Sequence, residues 1–155
     1  VRAVVQTVPA DRVTDVVTRA LPKGLRVADA GGQPGFGHLT VDDGRDRCLA
    51  AVTVQRWRPG DPDIGKVFGK ARELPDGTRV LTSRAPSSKG GAHAVEWRAD
   101  TLTTDGLRVL VSEVNARAYR LPGTRSTPVL SLDRLVRVAR DPAWGEAAGS
   151  ASPPR

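Results

Sequence analysis

At 155 residues the chain has the length of one domain, able to bury roughly two thirds of the surface that its unfolded form exposes. Apolar residues at 39% and charged residues at 26% match ordinary globular usage, which excludes a largely disordered chain, a collagen-like repeat and a membrane-embedded bundle. The net charge of +7 is almost entirely arginine, and no apolar run reaches the roughly 18 residues of a bilayer-spanning helix.

The first predicted element is a helix from Asp11 to Leu21, where Val13, Val16, Val17, Ala20 and Leu21 recur at helical spacing; Pro22 and Gly24 stop it. Leu25 to Asp29 reads as a short strand. The run Gly31-Gly32-Gln33-Pro34-Gly35-Phe36-Gly37 then reads as a loop too flexible for regular structure. Residues 37–42 and 46–57 are β-rich and flank Asp43-Gly44, a dipeptide suited to the positive φ angles of a hairpin turn. The same grammar returns at Pro75-Asp76-Gly77, between Arg72–Leu74 and Thr78–Arg84, and at Asp105-Gly106, between His93–Thr103 and Leu107–Asn115. Three Asp-Gly corners predict an antiparallel meander. Within it His93, Val95, Trp97 and Ala99 share one face, and Val109 and Val111 face the core from the partner strand.

A proline-containing connection, Leu121–Pro128, leads to a last helix capped by Ser131, with Asp133 near its positive end and Leu132, Leu135, Val136 and Ala139 as its buried stripe. Asp141-Pro142 ends it, and Trp144 is expected to fold back on the sheet or helix. The whole is expected to be an α+β domain over residues 1–144. Its antiparallel sheet of hairpins carries the N-terminal and C-terminal helices on one face, and Gly145 to Arg155 form a disordered tail. The other face, bearing Thr, Arg, Gln and Ser, is left wet for a ligand or partner.

The segment Pro128-Val-Leu-Ser-Leu-Asp-Arg-Leu-Val-Arg-Val-Ala-Arg-Asp-Pro-Ala-Trp144, with Asp105-Gly106-Leu-Arg-Val and Val114-Asn115-Ala116 before it, resembles a C-terminal element of extracytoplasmic domains in membrane-anchored actinobacterial proteins. The match covers about a quarter of the chain and includes no catalytic residue. It implies a membrane-anchored or secreted location and a class, not a chemistry. The chain begins at Val1 and has no Met, as expected of a processed product or fragment, with any signal or anchor upstream of Val1.

Candidate sites follow from a few residue groups. Arg134, Arg137 and Arg140, three residues apart on the last helix, form a basic line opposite the apolar stripe and suit a protein partner or an anionic surface such as the cell envelope. Gly32, Gly35 and Gly37, with His38 beside them, could belong to a loop that closes over a ligand. Gly32-Gln33-Pro34-Gly35 also matches an RNA-clamping G-x-x-G, but without its flanking helices. Gly60-Asp-Pro-Asp-Ile-Gly-Lys66-Val67 fits a phosphate-cradling loop up to its eighth position, where Val replaces Ser or Thr. Asp61 and Asp63 would repel phosphate and Pro62 offers no N–H, so the segment reads as an exposed loop.

Nucleic acid is disfavoured as a partner because the arginines are dispersed among acids and only Phe36, Trp57, Phe68 and Trp97 offer stacking surfaces in the middle of the chain. No cofactor is expected. The single Cys48 excludes an intramolecular disulfide and multi-cysteine zinc sites, and it alternates with Ala50, Val52 and Val54 as a buried hydrophobe. His38 and His93 have no partner at chelating spacing. Catalysis would have to come from a small-hydrolase arrangement of Glu73, Glu96 and Glu113, none of which spacing selects, and Glu96 suits an ion pair with Arg98 or Arg108.

Overall fold

The computed structural model describes residues 8–149 together with the strand Ala3–Val4. Its elements run β1 (Ala3–Val4), α1 (Ala10–Ala20), β2 (Arg26–Gln33), β3 (Phe36–Asp42), β4 (Arg47–Arg56), α2 (Asp63–Phe68), β5 (Arg72–Glu73), β6 (Arg79–Pro86), β7 (Val95–Leu102), β8 (Leu107–Val114), α3 (Leu132–Ala139) and α4 (Ala143–Ala148). The architecture is α+β, with one antiparallel sheet.

All three Asp-Gly corners form. Gly44, Gly77 and Gly106 have φ of +90°, +86° and +92°, and the preceding carboxylates brace two of the corners. Gly44 N–H donates to Asp42 Oδ1 at 2.8 Å, and Thr78 N–H donates to Asp76 Oδ1 at 2.9 Å. The hairpins do not follow one another across the sheet, however. The order is β2-β3-β4-β8-β7-β6-β5, two meanders joined along β4 and β8, while β1 pairs with the end of β4 at Gln55 and Arg56. Burial is consistent with this order. Cys48, Ala50, Val52 and Val54 on one face of β4 and Ala51 on the other are buried, as suits a strand in the middle of the sheet. The short β5, whose Arg72 and Glu73 are exposed, can stand at an edge.

The larger core joins Val13, Val16 and Val17 of α1 to Leu39, Val41, Ala50, Val52, Val54, Val80, Ala99, Val109 and Val111 of the sheet and to Leu135, Val136, Val138 and Ala139 of α3. Helix α1 rests on β2 and β3, and α3 rests on β6, β7 and β8. Ser131 caps α3 by accepting the Arg134 N–H at 3.2 Å. The buried stripe of α3 includes Val138, with Leu132 only half-buried.

Four sequence expectations need correction. The glycine run is not a loop: β2 extends through Gln33 and pairs with β3 at Gly31↔His38, Gly32↔Gly37 and Gln33↔Phe36, leaving Pro34-Gly35 as a hairpin corner. The segment read as an exposed loop at Gly60–Val67 contains α2, and Phe68 at its end packs edge-on against Trp57, with ring centroids 6.0 Å apart. The expected disordered tail begins too early. Trp144 sits in α4 and donates its indole N–H to the Val138 carbonyl at 2.7 Å, and the helix runs on through Ala148; the rest of that tail, 150–155, lies outside the described residues. His93 is not on β7 but in the bend before it, with φ of +60°.

Candidate functional site

The strands alternate side chains between two surfaces. Leu39, Ala50, Val52, Val109, Val111 and Ala99 point into the larger core, so their neighbours point away from it. Register aligns these outward residues in rows: His38, Ala51, Ser112, Arg98 and Ser83 form one, and Phe36, Thr53, Leu110, Asp100 and Leu81 form the next. The two ends of this surface differ. Toward the Asp105-Gly106 corner it is covered by Trp57 and Phe68, which with Leu102 make a second apolar cluster. Toward the other end the middle strands carry small side chains, the buried Ala51 and Ser112 and the half-buried Thr53, between larger ones.

These small side chains form the floor of a cleft of about 190 Å³ walled by Phe36, Leu110, Glu96, Arg98, Ser88, Lys89 and Tyr119. Two loops build one wall, and main-chain bonds fasten them together. Arg120 N–H donates to the Lys89 carbonyl at 2.7 Å, Gly91 N–H to Leu121 at 3.1 Å, and Gly123 N–H to Ala92 at 2.9 Å. Beneath them Tyr119 packs on Ala94, Val114 and Ala116. Its phenol is hydrogen-bonded to Ser112, and burial raises its pKa above the usual tyrosine value, keeping it a neutral donor and acceptor. Lys89 Nζ lies 5.4 Å from the Tyr119 ring centre, and Arg98 Nε lies 3.4 Å from Glu96 Oε2.

Asn115 holds the loops to the sheet. Its side chain accepts the Val95 N–H at 2.8 Å and donates to the carbonyls of Arg125 at 2.6 Å and His93 at 3.2 Å. The sequence marks Asn115 only as the end of a predicted strand and as part of a resemblance, and it does not bring Ser88, Lys89 or Tyr119 to this surface. No spacing signal links β8, the 87–94 bend and the 116–125 segment. The signal that did exist was alternation, which places the small Ala51 and Thr53 of β4 and Ser112 of β8 on the face away from the core.

The residues singled out from sequence divide differently. Arg134 and Arg137 lie exposed on α3, but Arg140 is past its end and reaches Asp76 at 3.7 Å. Gly32, Gly35 and Gly37 lie in the β2–β3 hairpin, Gly35 at its corner. A Cβ on Gly37 would come within 2.8 Å of Val13 Cγ1, so this glycine lets α1 lie close on β3. Gly35 N–H donates to the Val8 carbonyl at 2.9 Å. His38 stacks obliquely beside Phe36, with centroids 6.1 Å apart, and stands next to the cleft without lining it. Lys66 lies inside α2 and pairs with Asp63 at 3.4 Å, so no phosphate cradle forms there.

The glutamates do not converge. Glu113 pairs across the ladder with Trp97, one residue from the Glu96↔Val114 pair, so Glu96 and Glu113 lie on opposite surfaces of the sheet. Glu73 is exposed on β5. Glu113 is wholly buried, and desolvation pushes its pKa up to about 8. Nearby, Arg125 donates to Asp43 at 2.8 Å; that bond and the Arg45 amide hold the Asp43 carboxyl down to about 2. Arg108, bidentate on Asp100, also donates to Gln55 and lies 5.0 Å from the Trp57 ring centre, which makes it a structural fastener of the covered end.

Among the described residues no group of three or more His, Cys, Asp or Glu side chains could hold a metal ion, and no helix is long and apolar enough to cross a membrane. Comparison with family models, with curated proteins and with solved structures found no match for this chain.

Proposed function

We propose that the chain is a noncatalytic, extracytoplasmic interaction or sensor-type domain of a membrane-anchored or secreted bacterial protein. In this reading α1 and α3 together roof one face of the sheet, and the domain meets another protein or the cell envelope through the opposite face. The observation that carries the binding part is the cleft between β3, β4, β8 and the fastened 87–94 and 116–125 loops. A surface kept open only by chance would be expected to carry long solvated side chains over its middle strands; here Ala51, Thr53 and Ser112 make a hollow instead. The location rests on the resemblance of the Pro128–Trp144 segment. The exposed Arg134 and Arg137 offer a second contact surface on the helix side.

The test has two arms. Protease added to intact producing cells should degrade the domain, and the purified domain should cosediment with isolated envelope fragments. Arg98→Ala with Tyr119→Phe should abolish cosedimentation, whereas Arg134→Ala with Arg137→Ala should leave most of it. Full protection from external protease would remove the location. Binding to nucleic acid that is tight at low salt and falls steeply as salt rises, in place of envelope binding, would replace this reading with the nucleic-acid one.

A further inference from the structure

The cleft on the open sheet face has features that select a ligand class. Its volume of about 190 Å³ is below the roughly 300 Å³ at which pockets for drug-sized ligands begin. It therefore suits a single small ring with its substituents, or the end unit of a chain that leaves through the open side.

Its polar wall is rich in hydroxyls. Thr53, Ser88, Ser112 and Tyr119 all bring hydroxyls, and each hydroxyl can donate or accept. A wall of this sort is matched by a ligand whose own rim both donates and accepts, as a polyol does. Simple anions only accept, and an aromatic heterocycle presents a few fixed edges. The apolar parts, Phe36 on one side with Ala51 and Leu110 on the floor, suit the C–H face of a saturated ring.

Charge supplies the remaining constraint. Lys89 and Arg98 stand against the single carboxylate of Glu96, so the walls carry one excess positive charge. Arg98 is half-exposed and shares that carboxylate, and Lys89 stands at the mouth over the Tyr119 ring. We infer that the cleft binds one pyranose ring carrying a carboxylate, as a free sugar acid or as the terminal unit of an acidic glycan. This deepens the proposed binding role and rests on that same face.

The test is an NMR titration of the purified chain with glucuronate, glucose and acetate in turn. Glucuronate should shift the amides of Thr53, Ser88 and Ser112 saturably. Glucose should shift the same amides with roughly tenfold weaker affinity, the equivalent of one ion pair, and acetate at equal concentration should leave them unmoved. Lys89 is exposed, so Lys89→Ala should fold normally and weaken glucuronate several-fold more than it weakens glucose, narrowing the gap between the two. Equal affinities for glucuronate and glucose, equal shifts with acetate, or no shift with any of the three would overturn the assignment. If the sugars fail while Arg98→Ala with Tyr119→Phe still abolishes envelope binding, the interaction face stands and only its ligand is wrong. If glucuronate binds and envelope cosedimentation is indifferent to these substitutions, the ligand assignment stands and the envelope role falls.

Discussion

Glu113 on β8 accepts the backbone N–H of Leu130 at 2.7 Å, seventeen positions along the chain. That bond ties the segment leading into α3 to the middle of the sheet. The same carboxyl is wholly buried, and its Oε2 has no hydrogen-bond partner among the described residues.

Stability should therefore fall with rising pH. Glu113 titrates near 4.5 when exposed and at about 8 in the fold, so the folded state holds its proton more tightly than the unfolded chain does. A raised acid contributes fully below the unfolded value and loses its contribution as pH climbs to the folded one. At about 1.4 kcal/mol per pH unit the loss is a few kcal/mol at most. Glu113→Gln keeps an acceptor for Leu130 and removes the proton. It should flatten the decline and make the protein more stable than its parent above pH 8. Urea unfolding across this range gives the answer, and parallel stability curves for the two proteins would dispose of the idea. Asp43, held down to about 2, acts at the opposite end: its contribution is present above the ordinary aspartate pKa and disappears as pH falls through about 2.

Cys48 should be inert while the protein is folded. Desolvation, reinforced by the nearby Glu113 charge, pushes the thiol up to about 12, and the side chain has no exposed surface. Labelling with an aromatic disulfide at neutral pH should then wait for opening of the fold, with a rate that rises with denaturant as unfolding does. Rapid stoichiometric labelling of the native protein would contradict this placement.

Local chemistry made the hairpins legible. Asp43-Gly44, Asp76-Gly77 and Asp105-Gly106 need only their own carboxylates and a left-handed glycine, and all three turn where the residues say. The Ser131 cap and the Leu135-Val136-Ala139 stripe are local in the same sense. What was hidden is non-local: β4 joins β8 across the whole of α2 and β5–β7, and the strand character of Gly31–Gln33 depends on pairing with β3. Glycine there signals how near another chain segment passes, which composition reports as flexibility. The cleft was half-legible. Its sheet floor follows from alternation, whereas Tyr119 and Lys89 arrive from loops brought together by long-range backbone hydrogen bonds.

Two glycines should respond oppositely to alanine. At Gly106 the backbone is left-handed, and a Cβ would collide with the Trp57 carbonyl oxygen, a backbone atom with no freedom to withdraw because Trp57 N–H also donates to the Gly106 carbonyl at 2.7 Å. Gly106→Ala should cost about 3 kcal/mol or prevent folding. Gly65 lies within α2, and no atom stands within 4 Å of an added Cβ. Gly65→Ala should gain about 0.5 to 1 kcal/mol through helix propensity and reduced unfolded-chain freedom. Thermal melts of both variants decide it, and a destabilised Gly65→Ala would mean that α2 is held differently.

Asn115 should control the order of the cleft wall more than the stability of the sheet. It is 2% exposed, and its amide joins the start of β7, the His93 bend and the Arg125 segment. Asn115→Ala leaves the Val95 N–H and two carbonyls without that partner, at a cost of about 2 kcal/mol. Asn115→Asp retains the acceptor for Val95 but removes both donors, so it separates the two functions. Amide hydrogen exchange should then quicken at Gly91, Arg120 and Gly123, whose bonds fasten the loops, while the β4–β8 ladder at Val52 and Val111 stays protected. Uniform acceleration across loops and ladder would show that Asn115 supports the whole fold. No acceleration at the three loop amides would show that they are held without it.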